Sequence, residues 1–63
     1  MIYKIGSRCD EVVKIQKAVG VSADGLYGNR TKEAVAVWQR AHGLTADGIV
    51  GHKTWVAMFG EDM

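Results

Sequence analysis

The sequence predicts an all-α fold: a small three-helix bundle with crossed helices and two Asp-Gly loops, built as an internally duplicated helix-loop-helix. Three observations carry this expectation. The stretch Ala23-Asp24-Gly25-Leu26-Tyr27-Gly28-Asn29-Arg30-Thr31 returns as Ala46-Asp47-Gly48-Ile49-Val50-Gly51-His52-Lys53-Thr54, shifted by about 23 positions. The match extends upstream, where Gln16-Lys17-Ala18 aligns with Gln39-Arg40-Ala41 and Gly20-Val21-Ser22 with Gly43-Leu44-Thr45, and downstream to Ala34 and Ala57. Apolar residues recur at helical spacing on either side of both loops. Proline is absent, and glycine follows the periodic stretches where a helix would stop. Two copies are too few for a solenoid, whose units need neighbours on both sides to bury a continuous core.

The first residues, Ile2-Tyr3-Lys4-Ile5, alternate and read as an extended lead-in over 1–6, pinned to the core by Ile2 or Ile5. Ser7 is placed as an N-cap, with Asp10 and Glu11 where the helix dipole favours acids. Val12, Ile15 and Val19 recur at helical spacing, which predicts a first helix from Arg8 to Val19, ended by Gly20 in the left-handed conformation. A second helix is predicted from Asn29 to His42, burying Ala34, Val35, Trp38 and Ala41, and a third from His52 to Phe59, where Trp55, Met58 and Phe59 close the base of the core. Connections of about nine residues exceed what antiparallel neighbours need, which favours crossed helices. The tail, 60–63, is expected to fray, and the whole of 1–63 reads as a single domain.

The repeated loops have an internal chemistry. Asp24 and Asp47 can each accept from a backbone N–H two residues on, closing an Asx turn, and Gly25 and Gly48 can supply positive φ. Leu26 and Ile49 are expected to anchor the loops in the core. Gly28 and Gly51 then let the chain turn into the next helix. Thr31 and Thr54 fall in first turns and can satisfy backbone groups there. Gln16 and Gln39, at the edge of the core, are expected to bond loop backbone rather than a ligand.

With 63 residues and a net charge of +1, the chain carries no electrostatic footprint for nucleic acid or an anionic membrane. One cysteine, Cys9, excludes an internal disulfide, and no apolar run is long enough to span a bilayer. No signal-peptide pattern is present at the start; a whole small protein and an excised first domain both fit. A lone aspartate in each loop does not make a calcium site, and Cys9, His42 and His52 show no zinc spacing. No cofactor and no metal site are expected. His42 is placed to interact with a helix C-terminus. No paired carboxylates, triad or phosphate loop can be assembled, and a chain this short is expected to leave little room for a ligand pocket. The reading is a non-catalytic binding or structural module.

The run Gly6-Ser7-Arg8, Val12-x-x-Ile15-Gln16, Asp24-Gly25-x-Tyr27-Gly28-x-x-Thr31-x-x-Ala34-Val35-x-x-Trp38-Gln39 and Gly43-Leu44-x-x-Asp47-Gly48-x-x-Gly51-x-x-Thr54-Trp55 resembles the type-1 peptidoglycan-binding domain. That family is a three-helix module attached to cell-wall hydrolases such as phage endolysins, bacterial amidases and carboxypeptidases. Cys9 departs from it, since the family often has glycine there. Matrix metalloproteinase pro-domains share a similar fold, but their inhibitory cysteine segment has no match here. The resemblance implies non-catalytic binding to peptidoglycan, through glycan and stem peptide, with a fused or associated hydrolase held on its substrate. It implies action at the bacterial cell wall, reached by another export route or as part of a phage lysis system.

Candidate contact residues are Tyr27, Asn29, Arg30, His52 and Lys53. Both loops deliver a glycine, a polar residue and a cation to a helix start, where N–H groups and the dipole favour anions such as stem-peptide carboxylates. The alternative for Arg30 and Lys53 is that they are solvated helix residues. For the protein, the alternatives are a protein-interaction or pro-segment-like domain and a DNA-binding three-helix protein. The second is disfavoured because no helix has a basic face.

Overall fold

The computed structural model describes residues 2–60; of the tail expected to fray, Gly60 instead caps the last helix, its N–H donating to the Val56 carbonyl at 2.7 Å, and 61–63 lie outside the described residues. Three helices follow in order, α1 over Asp10–Val19, α2 over Asn29–Ala41 and α3 over His52–Phe59. Among the described residues no strand forms, and extended segments meet only as two isolated antiparallel bridges, Tyr3 with Val50 and Arg8 with Leu26. The fold is all-α.

α1 begins two residues later than the sequence suggests, and Ser7 does not cap it. Cys9 is the N-cap, in an extended conformation and without a side-chain cap bond, while Ser7 Oγ accepts from the Lys4 N–H at 3.1 Å. The cause is tertiary: Arg8 is paired with Leu26, so the chain stays extended up to Cys9. Asp10 and Glu11 occupy the first turn, where their charge favours the helix dipole. Gly20 ends the helix at φ 85°, and the Gly20 and Val21 N–H groups both donate to the Gln16 carbonyl.

α2 buries Val35 as expected, but its inward face is centred elsewhere than on Ala34, Trp38 and Ala41. Thr31, Val35 and Gln39 are buried, a row four residues apart and therefore one above the other. Ala41 is exposed, Ala34 and Trp38 are half-buried, and Trp38 stacks on His42 with ring centroids 3.9 Å apart. The polar side chains of Thr31 and Gln39 are drawn inward by their loops, and that rotates the helix. His42 lies just beyond the end of α2, and its Nδ1 donates to the Trp38 carbonyl at 2.8 Å.

The core consists of Tyr3, Val12, Ile15, Tyr27, Val35, Val50 and Trp55, with Cys9, Val19, Met58 and Phe59 packed against it. The loop anchors are thus Tyr27 and Val50 rather than Leu26 and Ile49. Leu26 is 46% exposed and Ile49 half-buried. Side chains alternate along extended backbone, so a shift of one residue exchanges the inner and outer positions. The lead-in is corrected in the same way. Ile2 and Ile5 are exposed, and Tyr3 enters the core, its ring 5.6 Å from that of Trp55.

That lead-in ties the two loops together. Tyr3 and Val50 exchange two backbone hydrogen bonds of 2.9 Å, Gly6 N–H donates to the Tyr27 carbonyl at 3.0 Å, and Tyr27 N–H donates to Ser7 at 2.9 Å.

Candidate functional site

Each loop is built around one buried glutamine. Gln16 Oε1 accepts from the Gly25 N–H at 2.9 Å. Its Nε2 donates to Asp24 Oδ1 at 2.8 Å, to the Leu26 carbonyl at 2.9 Å and to Thr31 Oγ1 at 3.0 Å. Asp24 Oδ1 also accepts from the Leu26 N–H at 3.0 Å, closing the Asx turn. Gln39 repeats every bond. Its Oε1 accepts from Gly48 N–H at 2.9 Å, and its Nε2 donates to Asp47 Oδ1 at 3.1 Å, Ile49 O at 2.9 Å and Thr54 Oγ1 at 3.0 Å. Ile49 N–H donates to Asp47 Oδ1 at 2.9 Å.

This arrangement answers several expectations. The glutamines bond their loops, as expected. Gly25 and Gly48 take positive φ, 79° and 72°. Beyond the expected first-turn position, Thr31 and Thr54 accept from the two glutamines. Hydrogen bonds from the Leu26 backbone and then from Gln16 hold the Asp24 carboxyl below its ordinary pKa.

Above each glutamine the loop and the following helix start enclose an open groove, of about 670 Å³ at the first loop and about 450 Å³ at the second. Both fall within the range of about 300–1,000 Å³ common for ligand sites, which corrects the expectation that so short a chain leaves little room. The first groove is lined by Gly28, Asn29, Arg30 and Thr31 at the start of α2, with Val21, Ser22, Asp24 and Leu26 opposite. The second is lined by Gly51, His52, Lys53 and Thr54, with Leu44, Thr45, Asp47 and Ile49 opposite. The helix-start residues named from sequence therefore come together, in two places. The opposite walls go beyond the residues expected from sequence, although the alignment of Val21-Ser22 with Leu44-Thr45 carries the signal.

Tyr27 is the exception. Its side chain is fully buried, its hydroxyl donates to the Gly48 carbonyl at 2.6 Å, and burial raises its pKa. It is a core and bridging residue, not a surface on which a sugar could stack. Tyr3, at 5% exposure, offers no such surface either.

The two helix starts share an electrostatic character that α1 lacks. Gly28 and Gly51 are N-caps without side chains to offer, and neither α2 nor α3 has an acid in its first turn. The first backbone bonds of these helices run from Lys32 N–H to Gly28 O and from Trp55 N–H to Gly51 O. N–H groups ahead of that point have no intrahelical acceptor, and with the dipole they favour an anion. Arg30 and Lys53 add a cation beside each start. Among the described residues, no group of three or more His, Cys, Asp and Glu side chains could hold a metal, and Cys9 is a half-buried free thiol.

Comparison with known proteins bears on this geometry. The family model for a peptidoglycan binding domain matches residues 10–58. Among solved structures, the chain is similar to a fused zinc-dependent amidase/peptidase/peptidoglycan-binding domain-containing protein from Clostridium acetobutylicum, with a TM-score of 0.88 and 30% sequence identity. The similarity covers 94% of this chain but 29% of that one. The search of curated proteins returned no match.

Proposed function

This chain belongs to the peptidoglycan-binding domain family, and from that premise we propose that it binds peptidoglycan at its two grooves and thereby holds a cell-wall hydrolase on its substrate. The domain is a non-catalytic binding module of cell-wall-related action. No helix among the described residues is long and apolar enough to cross a membrane. One observation carries the proposed contact: the starts of α2 and α3, glycine-capped, without acids in their first turns and flanked by Arg30 and Lys53, both open onto ligand-sized grooves whose own carboxylates, Asp24 and Asp47, are tied to Gln16 and Gln39. Stem peptides carry carboxylates, and such helix starts suit them. A tethered hydrolase would gain effective concentration from even a weak contact. The fused amidase/peptidase supports this partner class.

The test is co-sedimentation with purified insoluble peptidoglycan. An exposed pair between each cation and a ligand carboxylate contributes about 0.2–1 kcal/mol, so Arg30→Ala or Lys53→Ala alone should weaken binding only a few-fold. The double variant should lose most of it with an unchanged melt, and added salt should weaken the wild type. A double variant that sediments like the wild type would move the contact elsewhere. Retention on duplex DNA, or on an isolated hydrolase domain but not on the wall, would replace this reading with another. The purified chain should release neither reducing sugars nor free amines from peptidoglycan.

A further inference from the structure

We propose that the two grooves are paired sites of one kind, so that a single domain holds two repeating units of the same polymer at once. The inference rests on the binding reading above and extends it to stoichiometry. Apart from Gly20, every residue lining the first groove aligns with one lining the second, and the second adds Ile2. Packing accounts for part of this correspondence, because Gln16 and Gln39, and Thr31 and Thr54, are buried and bonded alike. It does not account for the exposed members. Arg30 and Lys53, Ser22 and Thr45 are exposed and have no task in the core, yet the chemical type recurs at each.

Each groove has the size of a ligand site by itself, and the body that carries both measures 26 × 21 × 17 Å. Peptidoglycan repeats its carboxylate-bearing unit along the strand, so like sites on one rigid body meet like groups on one polymer. Binding at the first makes binding at the second intramolecular, and avidity then exceeds the affinity of either groove.

The grooves can be closed one at a time without disturbing the fold. Gly28 and Gly51 have φ of −107° and −97°, open to any residue, and a Cβ at either would meet nothing within 4 Å. Gly28→Asp or Gly51→Asp would cap its own helix and set a carboxylate over its groove, so neither should lower the melting temperature. Wild type and variants would be compared by sedimentation with peptidoglycan, and by amide NMR titration with the soluble disaccharide-peptide monomer. The wild type should saturate at two equivalents, with shifts in 25–31 and 48–54. Each single variant should lose one set of shifts and about ten-fold or more in affinity for the wall, and the double variant should not bind. Saturation at one equivalent, or a single variant that binds the wall like wild type, overturns the pairing while leaving the binding reading intact. A wild type that fails to sediment with peptidoglycan overturns both.

Discussion

The first Asp-Gly loop and the second make the same bonds to Gln16 and to Gln39, yet they differ in what lies across the glycine and in what reaches between them. At Gly25 an added Cβ would sit 3.5 Å from Val13 Cγ2 and 3.8 Å from the Cys9 carbonyl, which is ordinary contact. At Gly48 it would fall 2.5 Å from Lys32 Cγ and 3.0 Å from the Lys32 carbonyl. Cys9 and Lys32 are aligned positions, so the long Lys32 stem accounts for the closest contact at Gly48, and the Lys32 carbonyl also lies nearer than that of Cys9. The anchors also differ. Both are fastened to the lead-in by two backbone bonds, but Tyr27 also sends its hydroxyl to the Gly48 carbonyl, and Val50, its counterpart, has no polar side-chain atom to return the contact. Where the copies agree, each loop is shaped from within. Where they disagree, the loops are joined to each other.

The largest expected effect tests what is common. Replacing either glutamine by leucine leaves a buried Gly N–H without its acceptor and removes the donor from three oxygens. Gln16→Leu and Gln39→Leu should each destabilise by about 3 kcal/mol, by chemical or thermal denaturation. A clear inequality between them would break the equivalence of the two networks.

The glycines test the difference. Gly25→Ala carries only the strain of positive φ, about 1 kcal/mol, whereas Gly48→Ala adds the collision with Lys32 and should cost about 2–3 kcal/mol. Lys32→Ala in the Gly48→Ala background should recover part of the excess. Equal melts for the two glycine variants would remove the packing argument.

Next comes the bridge. Tyr27→Phe should cost about 1–2 kcal/mol, because the Gly48 carbonyl loses its donor in the interior. The same variant sharpens a pH effect. Burial, and then the charge of Asp47, raise the pKa of Tyr27, so the folded state favours the neutral phenol. Stability is full below the unfolded value of about 10 and falls as pH rises above it. Tyr3, also raised by burial, adds to the alkaline loss. Tyr27→Phe should therefore melt with a shallower decline above about pH 10.

The smallest effect lies at the exposed edge of the first loop. The Asp24 carboxyl is held below its ordinary pKa by the Leu26 N–H and then by Gln16. Its contribution is present above the unfolded value of about 4 and is lost as pH falls through the folded one. Asp24→Asn keeps an acceptor oxygen but loses the charge, so it should melt slightly below wild type at neutral pH, decline less steeply as pH falls and converge with wild type in acid. Parallel acid profiles would show that the charge of Asp24 does not matter to its turn.

Much of the candidate site was legible because it is local. The pairing of Asn29 and Arg30 with His52 and Lys53, the positive φ at Gly25 and Gly48, and the glutamine contact to loop backbone all follow from offsets within one repeat. The grooves were not legible. Their floor is the glutamine and their far wall is residues before the Asp-Gly pair, and only the closed network sets the separation of the two walls. Tyr27 was misplaced for a related reason: an aromatic residue in a polar loop reads equally as surface or anchor until the direction of the backbone is known.

By itself the sequence determined the all-α class, the start of α2, both ends of α3, the glycine stop after α1 and the two Asx turns. These depend on periods and spacings of a few residues, over which backbone geometry is nearly fixed by local chemistry. Tertiary structure alone decided which of two adjacent residues turns inward. At Leu26-Tyr27, at Ile49-Val50 and at Ile2-Tyr3 the extended chain offers opposite faces on successive residues, and hydrophobicity does not separate the candidates. The choice was made by bonds from far along the chain: Gln16 and Gln39 on the Leu26 and Ile49 carbonyls, and the lead-in on Val50 and Tyr27. The same pairing delayed α1 to Asp10, and the pull on Gln39 and Thr31 turned Trp38 toward the surface.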